Sequence, residues 1–321
     1  MSERHLPTAL VTHAACLEHL TGRRHPESAQ RLKTVLARLE RADWTSRLLR
    51  LDAAPAPRPV LELVHDPFYL DTLQAQCADG HLWRADGDTI ASPGTWNAAR
   101  HAAGSVLTAV DAVLAGQAAN AFCAVRPPGH HASRAAAKGF CFLNNVAIGA
   151  AYARAVHGLT RIAVVDWDVH HGDGTQAIFW EDPDVLYFST HQMPLYPGTG
   201  LSSERGGGAG VGATINVPLD SGATDADVLK ALRDELAPVL ARFQPQLLLI
   251  SAGFDGHTGE SIAQCAITTE GYGRITRATL ELAQSCAGGR VVSVLEGGYA
   301  PDGLADCVEA HLSELLNAQV V

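Results

Sequence analysis

The chain has 321 residues, 47% of them apolar, and carries 24 basic against 34 acidic side chains for a formal charge of −10. This length and apolar share give a large core, in one α/β unit or two average domains. The acidic balance, with lysine only at Lys33, Lys138 and Lys230, excludes a nucleic-acid backbone as partner, because such binders need a basic face to displace counterions.

In chain order, the first helical pattern is "ESAQRLKTVLARLERA" (27–42), followed by the Pro-rich turn "APAPRP" (54–59). A second helix is expected over 97–116, stopped by Gly116, and a strand over Ala121–Val125. Next come a helix over 144–158, stopped by Gly158, and strands over Arg161–Val165 and Val185–Phe188. The glycine-rich "GGGAGVG" (206–212) lacks the Lys-Ser/Thr of a phosphate loop and reads as a connection into the strand "TINVPL". A helix over 225–243, the strand Leu247–Ser251, a helix over 269–286 and the strand Val291–Leu295 complete the order, with Thr224-Asp225 and Thr268-Thr269 as N-caps. The β-branched, non-alternating strands are those of a parallel sheet buried on both faces, and their alternation with helices specifies an α/β fold. No composition break divides the chain, so 1–321 reads as one domain.

Seven cysteines without a Cys-x-x-Cys pair give no disulfide framework, and Cys123, Cys141 and Cys265 are expected in the core. There is neither a signal segment nor an apolar run of about 18 residues, so the expectation is a cytoplasmic protein with no membrane partner.

Five strand ends lead into polar residues or glycines. "AFCAV" leads to Arg126-Pro127-Pro128-Gly129-His130-His131, and "RIAVV" to Asp166-Trp167-Asp168-Val169-His170-His171-Gly172-Asp173. "VLYF" leads to Ser189-Thr190-His191, "LLLIS" to Ala252-Gly253-Phe254-Asp255, and "VVSVL" to Glu296-Gly297-Gly298-Tyr299. In an open α/β sheet the ligand crevice lies outside the carboxyl ends of the strands, so parallel strands bring all five segments together. An extended "DWDVH" places Asp166, Asp168 and His170 on one face and turns Trp167 to the other, against a covering helix. Acids and an imidazole desolvated together are tolerable mainly around a cation. Asp168, His170 and Asp255 therefore form an Asp/His/Asp set with a position open for water, suited to zinc and acceptable to iron or cobalt. His130 and His131, on a Pro-Pro-Gly turn, are candidate bases, with Asp166 and Asp173 to orient them. Tyr299 can donate its hydroxyl to an oxyanion from a loop that Gly297 and Gly298 allow to approach closely.

The segments "RPPGHHA", "GFCFLNNVAIGA", "DWDVHHGDGTQ", "STHQ…YPGTG", "SAGFD" and "EGGY" resemble the zinc-dependent histone deacetylase family. That family includes bacterial histone deacetylase-like amidohydrolases and acetylpolyamine amidohydrolases. "HPESAQRL" (25–32) is similar to its N-terminal signature. The resemblance implies an arginase/deacetylase α/β fold, with a central, mostly parallel sheet of about eight strands and helices on both faces. It implies one catalytic Zn2+ on Asp168, His170 and Asp255. It also implies a structural K+ taking oxygens from Asp166, Asp168, His170, Ser189 and Thr190. His130 with Asp166 would act electrostatically, His131 with Asp173 as general base and then acid, and Tyr299 would polarise the amide carbonyl. Gly139, Phe140 and Tyr196, with Gly297 and Gly298, would wall a channel for an alkyl chain carrying a neutral amide. Asp86, Asp88 and Ser92 lie in a loop that could supply a backbone-binding group at its rim.

The implied substrate is an acyl-lysine peptide or protein. Acetylated polyamine is the alternative, because family members acting on polyamines are similar in placing an acid at the channel mouth. Seven positions after Asp255 that site reads Ile262, an apolar residue, although Glu260 is nearby and "GHTGESIAQ" departs from the family's Gly-Asp-Pro. A binuclear manganese ureohydrolase needs further bridging acids that Ser251-Ala-Gly-Phe-Asp255 does not supply. A non-catalytic acyl-lysine binder would not need the complete set of His130, His131, Tyr299 and three ligands.

Overall fold

Runs of Val, Leu, Ile and Ala without alternation are stable only where both faces of a strand are covered. In the computed structural model, which describes residues 6–318, they line up as one parallel sheet. The strands are β1 (Thr8–Thr12), β2 (Leu48–Asp52), β3 (Trp83–Arg84), β4 (Ile90–Ala91) and β5 (Asn120–Cys123). They continue with β6 (Ile162–Asp166), β7 (Val185–Gln192), β8 (Thr214–Leu219), β9 (Leu247–Ala252) and β10 (Val291–Leu295). Eight of them form a sheet of order β2-β1-β5-β10-β9-β6-β7-β8, and β3 and β4 make a separate antiparallel hairpin. Every pairing in the large sheet is parallel. The five strands whose ends carry the polar segments, β5, β10, β9, β6 and β7, are consecutive neighbours, so those segments emerge side by side at one edge.

The helices are α1 (Ala29–Leu39), α2 (Arg58–Leu61), α3 (Pro67–Ala78), α4 (Thr95–Leu114) and α5 (Asn145–His157). They continue with α6 (Asp173–Phe179), α7 (Asp225–Ala231), α8 (Ala237–Phe243), α9 (Thr269–Ala287) and α10 (Pro301–Asn317). Helices α4 and α5 pack together over one sheet face, where Gly149 of α5 lies close to Val106 of α4 and Leu249 of β9. Helices α1, α10 and α9 pack together over the other, where His311 of α10 meets Phe122 of β5 and Ser293 of β10. Asn144 caps α5 by accepting from Ala147 N, and Gly158 ends that helix at φ +70°, a left-handed conformation that glycine adopts without strain.

Several boundaries depart from the sequence expectation. The helix expected over 225–243 is broken into α7 and α8 by a π turn at Leu232–Leu236. Pro238 has no N–H for the carbonyl four residues back and its ring crowds it, so the backbone widens there. Strand β7 runs on through Gln192, which puts Ser189, Thr190 and His191 inside the sheet rather than after it. Strand β6 ends at Asp166, so Trp167–Gly172 is not extended, and β5 closes at Cys123, before Ala124 and Val125. Cys123, Cys141 and Cys265 are buried, and all seven cysteines are free. Among the described residues, no helix is long and apolar enough to cross a membrane.

Candidate active site

The acids after β6 are turned inward by the backbone itself. Asp168 N donates to Asp166 Oδ1 at 3.1 Å and His170 N donates to Asp168 Oδ1 at 2.9 Å, two successive turns in which each acid caps the residue two ahead. Asp168 and His170 thus reach a common side through tight turns, not through strand alternation. Trp167 is turned away and packs edge-on to His311 of α10, at 5.8 Å between ring centres. Asp255 arrives from neighbouring β9, and its Oδ1 accepts from Val169 N at 2.9 Å. Ligand atoms of Asp168, His170 and Asp255 all lie within 4.8 Å of one another. His170 Nδ1 sits 3.1 Å from both Asp168 Oδ1 and Asp255 Oδ2. Gly297 N donates to Asp168 Oδ2 at 2.8 Å, and a side chain there would collide with the Asp168 and Asp255 carboxylates.

Burial and the adjacent Asp168 charge lift Asp255 to a pKa of about 6. Burial opposes charge on His170, but Asp168 and Asp255 carry it up to about 10. Two buried carboxylates converging on one imidazole nitrogen are a donor set that a divalent cation satisfies, and the Asp/His/Asp composition fits zinc.

The adjacent histidines are held differently. Gly129 N and His130 N donate to Glu296 Oε2 at 2.6 and 3.2 Å, which pins the Pro-Pro-Gly turn. His130 Nδ1 lies 3.0 Å from Asp166 Oδ2, and His131 Nδ1 lies 2.9 Å from Asp173 Oδ1. A carboxylate only accepts, so both rings donate through Nδ1 and leave Nε2 toward the site. Burial disfavours a proton on His130, but Asp166 and Asp168 overcome it and hold its pKa well above the usual range. Burial, with the neighbouring His130 charge, pushes His131 down to about 3. Burial works against the Asp173 charge as well, yet His131 and the Lys138 ammonium, paired with the second oxygen, keep it ionised.

Tyr299 closes the site from the β10 end. Its ring stands over the Arg31 guanidinium at 4.8 Å and packs edge-on to Phe140 at 5.7 Å. Arg31 donates to the Gly298 and Glu296 carbonyls, both at 2.5 Å, and Glu260 Oε1 accepts from Tyr299 N at 2.5 Å and Ala300 N at 2.9 Å. Burial raises the phenol pKa well above its ordinary value, so it stays a proton donor.

Gly139 and Phe140 are consecutive left-handed residues, at φ +55° and +67°, and a side chain on Gly139 would run into the His131 ring. Tyr196, 43% exposed, stands 5.1 Å from His131 and 6.3 Å from His170 between ring centres, at the open end. Ile262 is half-buried in the loop that carries Glu260, and Gly298 takes φ +118° beside Tyr299. At the expected monovalent-cation position, Ser189 pairs in register with Asp166. The Thr190 hydroxyl is buried with no partner among the described residues, an orphaned oxygen consistent with that role.

Sequence reasoning missed Glu296, Lys138 and Arg31. Glu296 stands inside the quoted "EGGY" and Arg31 inside "HPESAQRL", but their partners lie far away in sequence, and Lys138 reads as one more surface lysine.

A family model described as the histone deacetylase domain matches residues 25–315. A probable deacetylase from Archaeoglobus fulgidus is 40% identical, over 92% of this chain and 82% of its own length. The human polyamine deacetylase HDAC10 is 44% identical over 90% of this chain, which spans 44% of that protein. A histone deacetylase-like amidohydrolase from Pseudomonas aeruginosa is 38% identical, over 90% of this chain and 76% of its own. Among solved structures, the HDA15 HD domain superposes with a TM-score of 0.91 at 34% identity, over 96% of this chain and 91% of that one.

Proposed function

Because the chain belongs to the histone deacetylase family of hydrolases, we propose that it hydrolyses N-acyl-lysine amides in peptides or proteins, with one zinc ion on Asp168, His170 and Asp255. The observation that carries the reading is the convergence of that buried trio beside two separate His–Asp pairs and an arginine-backed tyrosine. Chain 1–321 acts as a single catalytic domain. A divalent ion in this position supplies a Lewis acid for the amide carbonyl and lowers the pKa of water from about 15.7 towards about 7.

The chain's own residues supply the rest. His131 enters neutral, its Nδ1–H fixed by Asp173, so Nε2 takes the proton of the attacking water and later returns it to the leaving amine. His130, with Asp166 behind it, contributes positive charge where the oxyanion develops. The Tyr299 hydroxyl donates to the same oxyanion, and Phe140 and Tyr196 confine the alkyl chain. A potassium ion near Asp166, Ser189 and Thr190 would steady the β6 and β7 ends beneath the trio.

Ile262 at the mouth favours acyl-lysine, since an apolar residue there offers nothing to a second ammonium. Acetylpolyamine hydrolysis is the second reading, favoured by the likeness to the human polyamine deacetylase. Side-by-side hydrolysis of acetyl-lysine peptides, longer acyl-lysine peptides and acetylated polyamines, with and without a zinc chelator, tests both. Turnover that survives complete zinc removal, or fails with every one of these amides, refutes the proposal.

A further inference from the structure

Beyond Phe140, on the outer side of the channel wall, lies a cavity of about 430 Å³ bordered by Arg23, Arg24, His25, Leu82, Arg84 and Asp88. His25 ties its two walls together. Its ring stacks edge-on to Phe140 at 4.8 Å, its Nδ1 accepts from Glu27 N at 3.1 Å, and its Nε2 donates to the Asp88 carbonyl at 2.8 Å. The same Phe140 ring packs edge-on to Tyr299, so the cavity and the reaction centre share one residue.

The charge here runs against that of the whole chain. Three arginines line the cavity on a protein of net charge −10, and Asp88 is the one acid among the residues lining it. Among the described residues, Arg23 and Arg24 have no ion pair and no side-chain hydrogen bond, while Arg84 donates only to the Gly87 carbonyl at 2.8 Å. The nearby Asp86 carboxylate is occupied, accepting from Asp88 N at 3.1 Å and Thr89 N at 2.7 Å. Arg24 is held at φ +64°, two residues after Gly22 at φ +92°.

We propose that this cavity is a subsite for a carboxylate of the substrate, an Asp or Glu side chain flanking the acylated lysine, recognised by Arg23, Arg24 and Arg84. The inference rests on the acyl-lysine reading and narrows it. An acidic residue next to the lysine reaches over Phe140 into unpaired guanidinium groups, whereas a chain carrying further ammonium groups meets like charge on this side. Solvent-exposed ion pairs are individually weak, so two of them yield a preference of about three- to tenfold.

The test uses the full, zinc-loaded chain with acetyl-lysine peptides that differ only in carrying Glu, Gln or Lys beside the lysine. The expected result is kcat/KM for Glu above Gln by about three- to tenfold, mainly through KM, shrinking as salt is raised. In an Arg23→Glu/Arg24→Glu variant, with folding checked by thermal melting, the order reverses in favour of the Lys peptide. Equal kcat/KM for the three peptides in the wild type, or an order unchanged in the variant, overturns the subsite. Anisotropy with the same labelled peptides and Tyr299→Phe reads the charge order without turnover. A chain that cleaves only acetylpolyamines therefore refutes the acyl-lysine reading, while the binding order alone decides the subsite.

Discussion

Glu260 offers a test of whether the tyrosine loop must be held for chemistry to occur. Its Oε1 accepts the N–H groups of Tyr299 and Ala300 at 2.5 and 2.9 Å, while Arg31 grips the loop from the other side through the Gly298 and Glu296 carbonyls. Hydrogen bonds to a charged group contribute roughly 1.5–3 kcal/mol each. Glu260→Ala removes both, and if only about 1.4 kcal/mol of that loss falls on the placement of Tyr299, kcat drops about tenfold. The upper bound is the loss of the oxyanion donor itself, on the order of 10²–10³ in rate. Glu260→Gln keeps one neutral acceptor and should fall between wild type and Ala, with Glu260→Asp closest to wild type. The assay is steady-state kinetics on an acetyl-lysine peptide, with zinc content and melting temperature measured on the same preparations. The loss should sit in kcat, with KM within about threefold, because substrate binding does not depend on the phenol. A Glu260→Ala enzyme with kcat within twofold of wild type, or a loss that tracks zinc content, refutes the positioning argument.

Tyr299→Phe should keep fold and zinc while losing about 10²–10³ in kcat; turnover within threefold of wild type removes Tyr299 from the mechanism. Ile262→Glu places a carboxylate at the mouth and should raise the ratio of acetylpolyamine to acetyl-lysine turnover by about tenfold, roughly one buried-edge charge contact. Burial holds His65 at a pKa of about 4 and His311 at about 3, against 6.5 in the unfolded chain. Both are depressed, so the unfolded state takes up protons first and stability falls as pH drops below 6.5. At pH 5 each costs about 2 kcal/mol, which urea titrations at pH 7 and 5 would register and a flat profile would contradict. Chelation should lower the melting temperature by about 6 °C, since a ligand at 1,000 times Kd stabilises by about 4 kcal/mol and a chain of this length loses about 0.7 kcal/mol per degree at its midpoint. Asp255→Asn should abolish that zinc-dependent increment, and an increment equal to wild type would exclude Asp255 as a ligand.

What the sequence made legible was whatever is local. The five buried runs announced themselves because a strand covered on both faces has no polar alternation to blur it, and Gly158 marks the end of α5 by the left-handed backbone that glycine adopts without strain. β1 is buried over Thr8–Val11 like the other central strands, but five residues with two threonines give a weak signal. β2 lies at the sheet edge and alternates Leu with Arg and Asp, so it lacked the signature used for the rest. In the site, the Asp/His/Asp trio could be read because two of its members share one segment. Lys138 on Asp173, Arg31 beneath Tyr299 and Glu296 under the histidine turn could not, since each is a contact made by topology across a long stretch of chain.

The paired histidines show how topology turns identical residues into different reagents. His130 and His131 are adjacent, both buried, and each donates Nδ1–H to an aspartate. The distinction comes from what lies next. Asp166 sits at the end of β6, where the backbone turn brings Asp168 to 3.8 Å from His130 Nε2, so two carboxylates stabilise a cation on that ring. Asp173, at the start of α6, is shared with the Lys138 ammonium, so His131 faces a partly neutralised acid and a charged neighbour. One imidazole is thereby suited to supply positive charge and the other to keep a free lone pair. Lys138→Met should leave Asp173 fully available to His131 and draw the two rings' proton affinities together without touching Asp168, His170 or Asp255; the pH profile of kcat/KM reads the change, and a profile identical to wild type contradicts it.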